Sequence, residues 1–166
     1  VMLATILGTA QATLTKFPYL RKIWQNNTEE ERLLGVSLTG IMDCRLINGV
    51  NKDTSINSLL STLKDYSIDV NKVWAAKLNI PQSTAVTCVK PSGTVSQLVD
   101  SASGIHSRHA PYYIRTVRGD IKDPLTQFMM ESGIPYEPDV TRPDNTMVFS
   151  FPIKAPDNAV YRNDRG

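Results

Sequence analysis

The stretch TAVTCVKPSGTVSQLVD, residues 84 to 100, limits the fold more than any other part of the chain. An apolar run from Thr84 to Val89 reads as a strand. It stops at Lys90-Pro91, passes through a turn of small polar residues and enters a helix placed at roughly 96–101. A strand that ends in such a turn and passes into a helix start offers free backbone N–H groups and the positive end of a helix dipole, a general site for anions. Gly93 lets a ligand approach the backbone closely, and Thr94 and Ser96 add hydroxyl donors. Phosphate is the natural guest. The motif is not a Walker P-loop, which requires Gly, four residues, Gly, Lys and Ser or Thr; here Lys90 precedes the turn. Ser and Thr before a helix are also good caps, and the residues alone leave the phosphate and capping readings open.

The rest of the chain alternates between helical and strand-like patterns. Residues 1–14, small and aliphatic, predict a helix, and Pro18 permits a second short one over 19–25. Thr28 and Glu31 have capping-box spacing, which predicts a third helix ending near Leu34 with Gly35 as its stop. GVSLTGIMD, 35–43, reads as a buried strand of the α/β type. After a loop over 45–52, Asp53 or Thr54 is placed to cap a helix with Ile56, Leu59, Leu60 and Leu63 along one stripe. A separate helix is predicted over 70–78, stopping before Pro81. Residues 112–118, YYIRTVR, read as a strand, 123–133 as a helix with Pro in its first turn and Gly at its end, and 146–154, TMVFSFPIK, as a last strand. The order implies an α/β fold with mostly parallel strands.

With 166 residues, 41% hydrophobic and a net charge of +2, the chain matches one ordinary domain or a piece of a larger one. Near-neutral charge gives no reason to expect nucleic acid or a membrane surface as partner. Cys44 and Cys88 form no disulfide framework and have no metal-type spacing, which suits a reducing cytoplasm. The apolar start lacks a basic region and a cleavage site, so it reads as a buried helix rather than a leader. Both ends read as truncated, so residues 1–166 are expected to be a single fragment of a larger domain.

PSGTVSQLVDSASGIHSRHAPYYIRTVR, 91–118, resembles the adenosylcobalamin-dependent (class II) ribonucleotide reductases. The resemblance is carried by Pro-Ser-Gly-Thr-x-Ser at 91–96, Ser-Gly-Ile-His at 103–106 and Ala-Pro-Tyr-Tyr-Ile-Arg at 110–115, and ERLLGVSLTGIMD at 31–43 is similar to a barrel strand of these enzymes. Class I reductases have Glu where Gly93 stands. The resemblance implies part of a ten-stranded α/β barrel and reduction of ribonucleotides, triphosphates favoured, to deoxyribonucleotides. It implies adenosylcobalamin as cofactor and a thioredoxin-like dithiol as reductant. In that setting Pro91 fixes the entry to the turn. Ser92, Gly93 and Thr94 bind substrate phosphate through backbone N–H groups, and Thr94 and Ser96 bind it through hydroxyls.

The family's radical cysteine lies in an Asn-Pro-Cys-x-Glu loop, and no such string occurs in this sequence. No catalytic residue is therefore assigned here; the radical cysteine belongs to the remainder of the same polypeptide. Cys44 and Cys88 are expected to be buried small hydrophobes. His106 is a candidate cofactor or substrate contact, or else a loop residue bonded to its own backbone. Ser107 replaces a proline usual in the family. Arg115 and Arg118, three apart on a strand, face opposite sides with solvent as their default. Tyr112 and Tyr113 read as packing residues. The rival function, for a complete protein, is a non-catalytic nucleotide- or phosphate-binding module using the same turn.

Overall fold

The computed structural model describes residues 1–50 and 55–162, which divide into two units, 1–107 and 108 onward.

In the first unit, α1 (Met2–Gln11) packs on α3 (Ile56–Lys77). Thr5 and Thr9 on α1, and Ser67, Asn71 and Ala75 on α3, are the buried positions, spaced four apart as one helix face requires. The interface is therefore small and polar. Thr9 and Ser67 hydroxyls donate to the carbonyls of Thr5 and Leu63 one turn back, both at 2.7 Å. Asn71 joins the helices to the next segment: its Nδ2 donates to Thr9 Oγ1 (3.0 Å) and Ser83 Oγ (2.9 Å), and its Oδ1 accepts the Ser83 N–H (3.0 Å). The two helices expected between 54 and 78 are one, because 64–69 contains no residue that breaks a helix. Of the expected apolar stripe, Ile56, Leu59 and Leu63 are half-buried and Leu60 is exposed. The Asp53 or Thr54 cap lies outside the described residues.

Between these helices, α2 (Lys22–Glu31) replaces the two helices expected over 19–34. Thr28 does not cap. It sits inside the helix and its hydroxyl donates to the Trp24 carbonyl at 2.8 Å. The helix ends at Arg32, in the left-handed region at φ 46°, rather than at Gly35. The segments expected as strands at 35–43 and 84–89 do run parallel, through Leu34 N–H to Ala85 O, Val36 N–H to Val86 O and Cys88 N–H to Val36 O (2.9, 3.0 and 3.1 Å). The pairing amounts to one bridge, Val36 with Thr87, and 41–43 turns into a 3₁₀ segment.

The second unit is a sheet in the order β1 (Tyr112–Asp120), β3 (Thr146–Lys154), β2 (Tyr136–Pro138). Both pairings are antiparallel, with Tyr112 opposite Lys154 and Asp120 opposite Thr146. This corrects the expectation of mostly parallel strands. The link from 138 to 146 is too short for a parallel crossover and folds back as a hairpin. Central β3 buries Met147, Val148 and Phe149, and the Tyr136 ring lies 5.8 Å from that of Phe149. Helix α5 (Pro124–Glu131) starts as expected: Asp123 accepts the Leu125 N–H at 2.9 Å and Pro124 occupies the first turn. Its buried Thr126 fits against Gly119 of β1, where any Cβ would overlap Thr126 Oγ1.

Candidate functional site

The turn at 91–94 leads into α4 (Val95–Leu98), a helix of four residues that starts one residue earlier and ends three earlier than expected. So short a helix has little macrodipole, and the anion argument passes to the turn itself. Pro91, Gly93 and Thr94 are exposed and Ser92 is half-buried. Among the described residues, the backbone N–H groups of Ser92, Gly93 and Thr94 donate to nothing. Gly93 holds φ +55°, and a Cβ there would meet nothing within 4 Å, so the turn faces open space. The Ser92 carbonyl accepts the Val95 N–H at 3.1 Å and closes the turn. Thr94 occupies the N-cap position without a side-chain capping bond, so capping is not what its hydroxyl does.

Ser96 differs from the other turn residues. It is fully buried; its hydroxyl accepts the Gln97 amide at 3.3 Å, and its carbonyl accepts the Ser101 N–H at 2.9 Å. Lys90 lays its side chain over Gly35, where a Cβ would sit 3.1 Å from Lys90 Cδ.

The 101–106 segment lies against the turn. Ser92 Oγ and Ser103 Oγ are 2.7 Å apart. His106 is exposed, and both its N–H (2.8 Å) and its ring Nδ1 (3.0 Å) lie on the Ser103 carbonyl. This is the local backbone bonding that the sequence left open as its second reading. A contact to 39–43, which the sequence did not signal, holds this segment. Gly40 N–H donates to Ala102 O (2.8 Å), Ala102 N–H to Asp43 Oδ2 (2.7 Å) and Gly104 N–H to Thr39 Oγ1 (3.0 Å).

An apolar cleft of about 330 Å³ in the same unit is lined by Val36, Leu38, Leu63, Cys88 and Ile105 among others. Cys88 is exposed and Cys44 half-buried, so neither is the buried hydrophobe expected.

In the second unit, Arg118 is not simply solvated. Its Nε donates to Asp139 Oδ2 at 2.7 Å. Buried Asp139 also accepts the Thr141 hydroxyl (2.6 Å) and the N–H groups of Thr141 (2.9 Å) and Arg142 (3.1 Å). The Thr141 hydroxyl bond and then the Arg118 guanidinium hold its carboxyl well below the usual carboxylate range. Nothing in the sequence pattern marked Asp139. Tyr112 is exposed, while the Tyr113 ring stands edge-on to His109 with centroids 6.1 Å apart.

No family model matches the chain. Curated relatives and a solved structure do. A crystal structure of a B-12 dependent (class II) ribonucleotide reductase superposes with a TM-score of 0.73 at 25% identity, over 95% of this chain and 26% of that one. The chain is thus homologous to a segment of the ribonucleotide reductases. Within that class, it is 29% identical to the adenosylcobalamin-dependent ribonucleoside-triphosphate reductase of Lactobacillus gasseri over 164 aligned residues, 86% of this chain and 22% of the relative. The enzymes of the same description from Lactobacillus acidophilus (31% identity, 81% of this chain, 20% of the relative) and Euglena gracilis (30%, 80% and 18%) are similar to it in the same way. The chain therefore spans about a fifth of the length of the curated relatives it matches. Among the described residues, no helix is long and apolar enough to cross a membrane.

Proposed function

We propose that residues 1–166 are part of the catalytic barrel of an adenosylcobalamin-dependent ribonucleotide reductase and carry its substrate-phosphate turn. The observation behind this is the row of three unpaired N–H groups at Ser92, Gly93 and Thr94 on an exposed turn with a left-handed glycine. Such a row is a nest for phosphate oxygens. The names of the relatives favour a ribonucleoside triphosphate as the substrate held there.

In this reading the three N–H groups bind one phosphate. The exposed Thr94 hydroxyl adds a fourth donor, and Pro91 fixes where the chain enters. Buried Ser96 reaches substrate only if its Gln97 contact opens, so its expected hydroxyl donation is secondary. These residues orient the substrate and do no bond chemistry. The cofactor supplies the radical. His106, the candidate contact to cofactor or substrate, is exposed and has its ring Nδ1 on the Ser103 carbonyl. The radical cysteine, and the cysteines that receive electrons from a thioredoxin-like dithiol, are assigned to the remainder of the polypeptide, because no Asn-Pro-Cys-x-Glu string occurs in residues 1–166. The ten-stranded barrel is completed there as well, in a cytoplasmic enzyme.

Two experiments test this. The coding DNA on either side of this segment should specify an Asn-Pro-Cys-x-Glu loop upstream. The whole polypeptide should form a deoxyribonucleotide from a ribonucleoside triphosphate, adenosylcobalamin and a dithiol, whereas residues 1–166 alone should form none. A whole polypeptide that binds triphosphate but reduces nothing under these conditions would leave the non-catalytic module as the correct reading.

A further inference from the structure

Ser92 and Ser103 share one hydrogen bond of 2.7 Å between two hydroxyls. Either can be the donor, and the direction matters for the turn. If Ser92 donates, its proton is used inside the protein. If Ser103 donates, the Ser92 proton is free for a ligand.

The two partners are held very differently. Ser103 sits between two buried residues, Ala102 and Gly104, and the main chain of each is bonded to the 39–43 segment. Ala102 O accepts from Gly40 N–H (2.8 Å) and the Thr39 hydroxyl (3.2 Å), Ala102 N–H donates to Asp43 Oδ2 (2.7 Å), and Gly104 N–H donates to Thr39 Oγ1 (3.0 Å). The Ser103 carbonyl is the acceptor for His106. Ser103 is thereby fixed from both sides, whereas Ser92 belongs to a turn whose N–H groups have no partner among the described residues.

We infer that Ser103 is a positioning residue for the turn, donating to Ser92 Oγ so that the Ser92 hydroxyl proton points outward to a phosphate oxygen. This rests on the phosphate reading of the turn. A phosphate can only accept from Ser92, so an anion in the turn selects this direction, and each hydrogen bond of the chain Ser103–Ser92–phosphate polarises the next. Ser103 needs no contact with the ligand. Thr39 and Asp43 serve the turn only by holding Ser103.

The test is calorimetric titration of the whole polypeptide with inorganic tripolyphosphate. Ser103→Ala and Ser103→Val should each weaken binding by about five- to tenfold, the loss of one hydrogen bond in a chain that ends on a charged group. Ser103→Thr, which has the shape of Val and keeps the hydroxyl, should stay within about twofold of the unmodified protein. In a Ser92→Ala background, Ser103→Ala should have no further effect, because its route to the ligand is already cut. Equal losses for Thr and Val, or an undiminished Ser103→Ala effect without Ser92, would overturn the inference and leave the phosphate turn standing. Absence of tripolyphosphate binding by the unmodified protein would overturn the phosphate reading and this inference with it.

Discussion

Replacing Asn71 by Leu isolates the polar junction of the first unit. Leu keeps the branching and heavy-atom count of Asn, so no cavity forms, but three hydrogen bonds of 2.9–3.0 Å disappear among residues no more than 7% exposed. Thr9 keeps its bond to the Thr5 carbonyl, so it is not stranded. Ser83 loses both its N–H acceptor and the partner of its hydroxyl. An orphaned buried polar group costs about 1–3 kcal/mol, and with two on one residue, partly relieved by added apolar burial, the net loss should be about 2–4 kcal/mol. Amide hydrogen exchange at Ser83 reads this locally. Its protection should fall roughly 30- to 1,000-fold, at about 1.4 kcal/mol per tenfold. Asn71→Ala should lose at least as much, since it adds a cavity. Unchanged Ser83 protection in Asn71→Leu would refute the reasoning, because Asn71 would then be a spacer and not the joint between α1, α3 and the 83–88 segment.

Gly119→Ala places a methyl on Thr126 Oγ1 and should lower the unfolding stability of the second unit by about 1–3 kcal/mol; adding Thr126→Ala should recover most of it in denaturant titrations. Asp139 has a depressed folded pKa, so its contribution is complete above the unfolded carboxylate value of about 3.9 and is lost as pH falls below that value. Asp139→Asn should therefore lower the denaturation midpoint at pH 7 and flatten its acid dependence. Gly93→Ala meets no neighbour but must hold φ +55°, a strain of about 1–2 kcal/mol. It should lower stability by that amount and weaken tripolyphosphate binding by calorimetry.

The elements legible in the sequence carry their own local signals. Helix α1 has a run of small and aliphatic residues, though it buries Thr5 and Thr9 and leaves Leu3 and Leu7 exposed, against the expectation of a buried helix; β1 and β3 are rich in β-branched and aromatic residues, and α5 has Asp123, Pro124 and Gly133 at its ends. The misread elements lacked such signals or carried false ones. The Thr28 to Glu31 spacing also occurs inside a helix, where Thr bonds one turn back. Strand β2 is three exposed residues with no alternation to read. Whether strands pair parallel depends on which segments meet, and the α/β order misled because, among the described residues, parallel pairing is limited to two isolated bridges, Val36 with Thr87 and Arg108 with Tyr161, while the sheet itself is antiparallel. At the site, the turn and its half-buried Ser92 and exposed Gly93 and Thr94 were legible as a motif. The burial of Ser96, the clasp from Thr39 and Asp43, and the Asp139 cluster join residues about 20 to 60 positions apart, or depend on a neighbour's packing. No spacing rule reaches that far.

The most direct test of the central claim is amide NMR of the whole polypeptide, labelled at Ser, Gly and Thr, during titration with a ribonucleoside triphosphate. The amides of Ser92, Gly93 and Thr94 should move first and saturate together, and the same nucleoside without phosphate should leave them in place. Saturating nucleotide binding that leaves those three amides unmoved would contradict the account, because the substrate phosphate would then be held elsewhere.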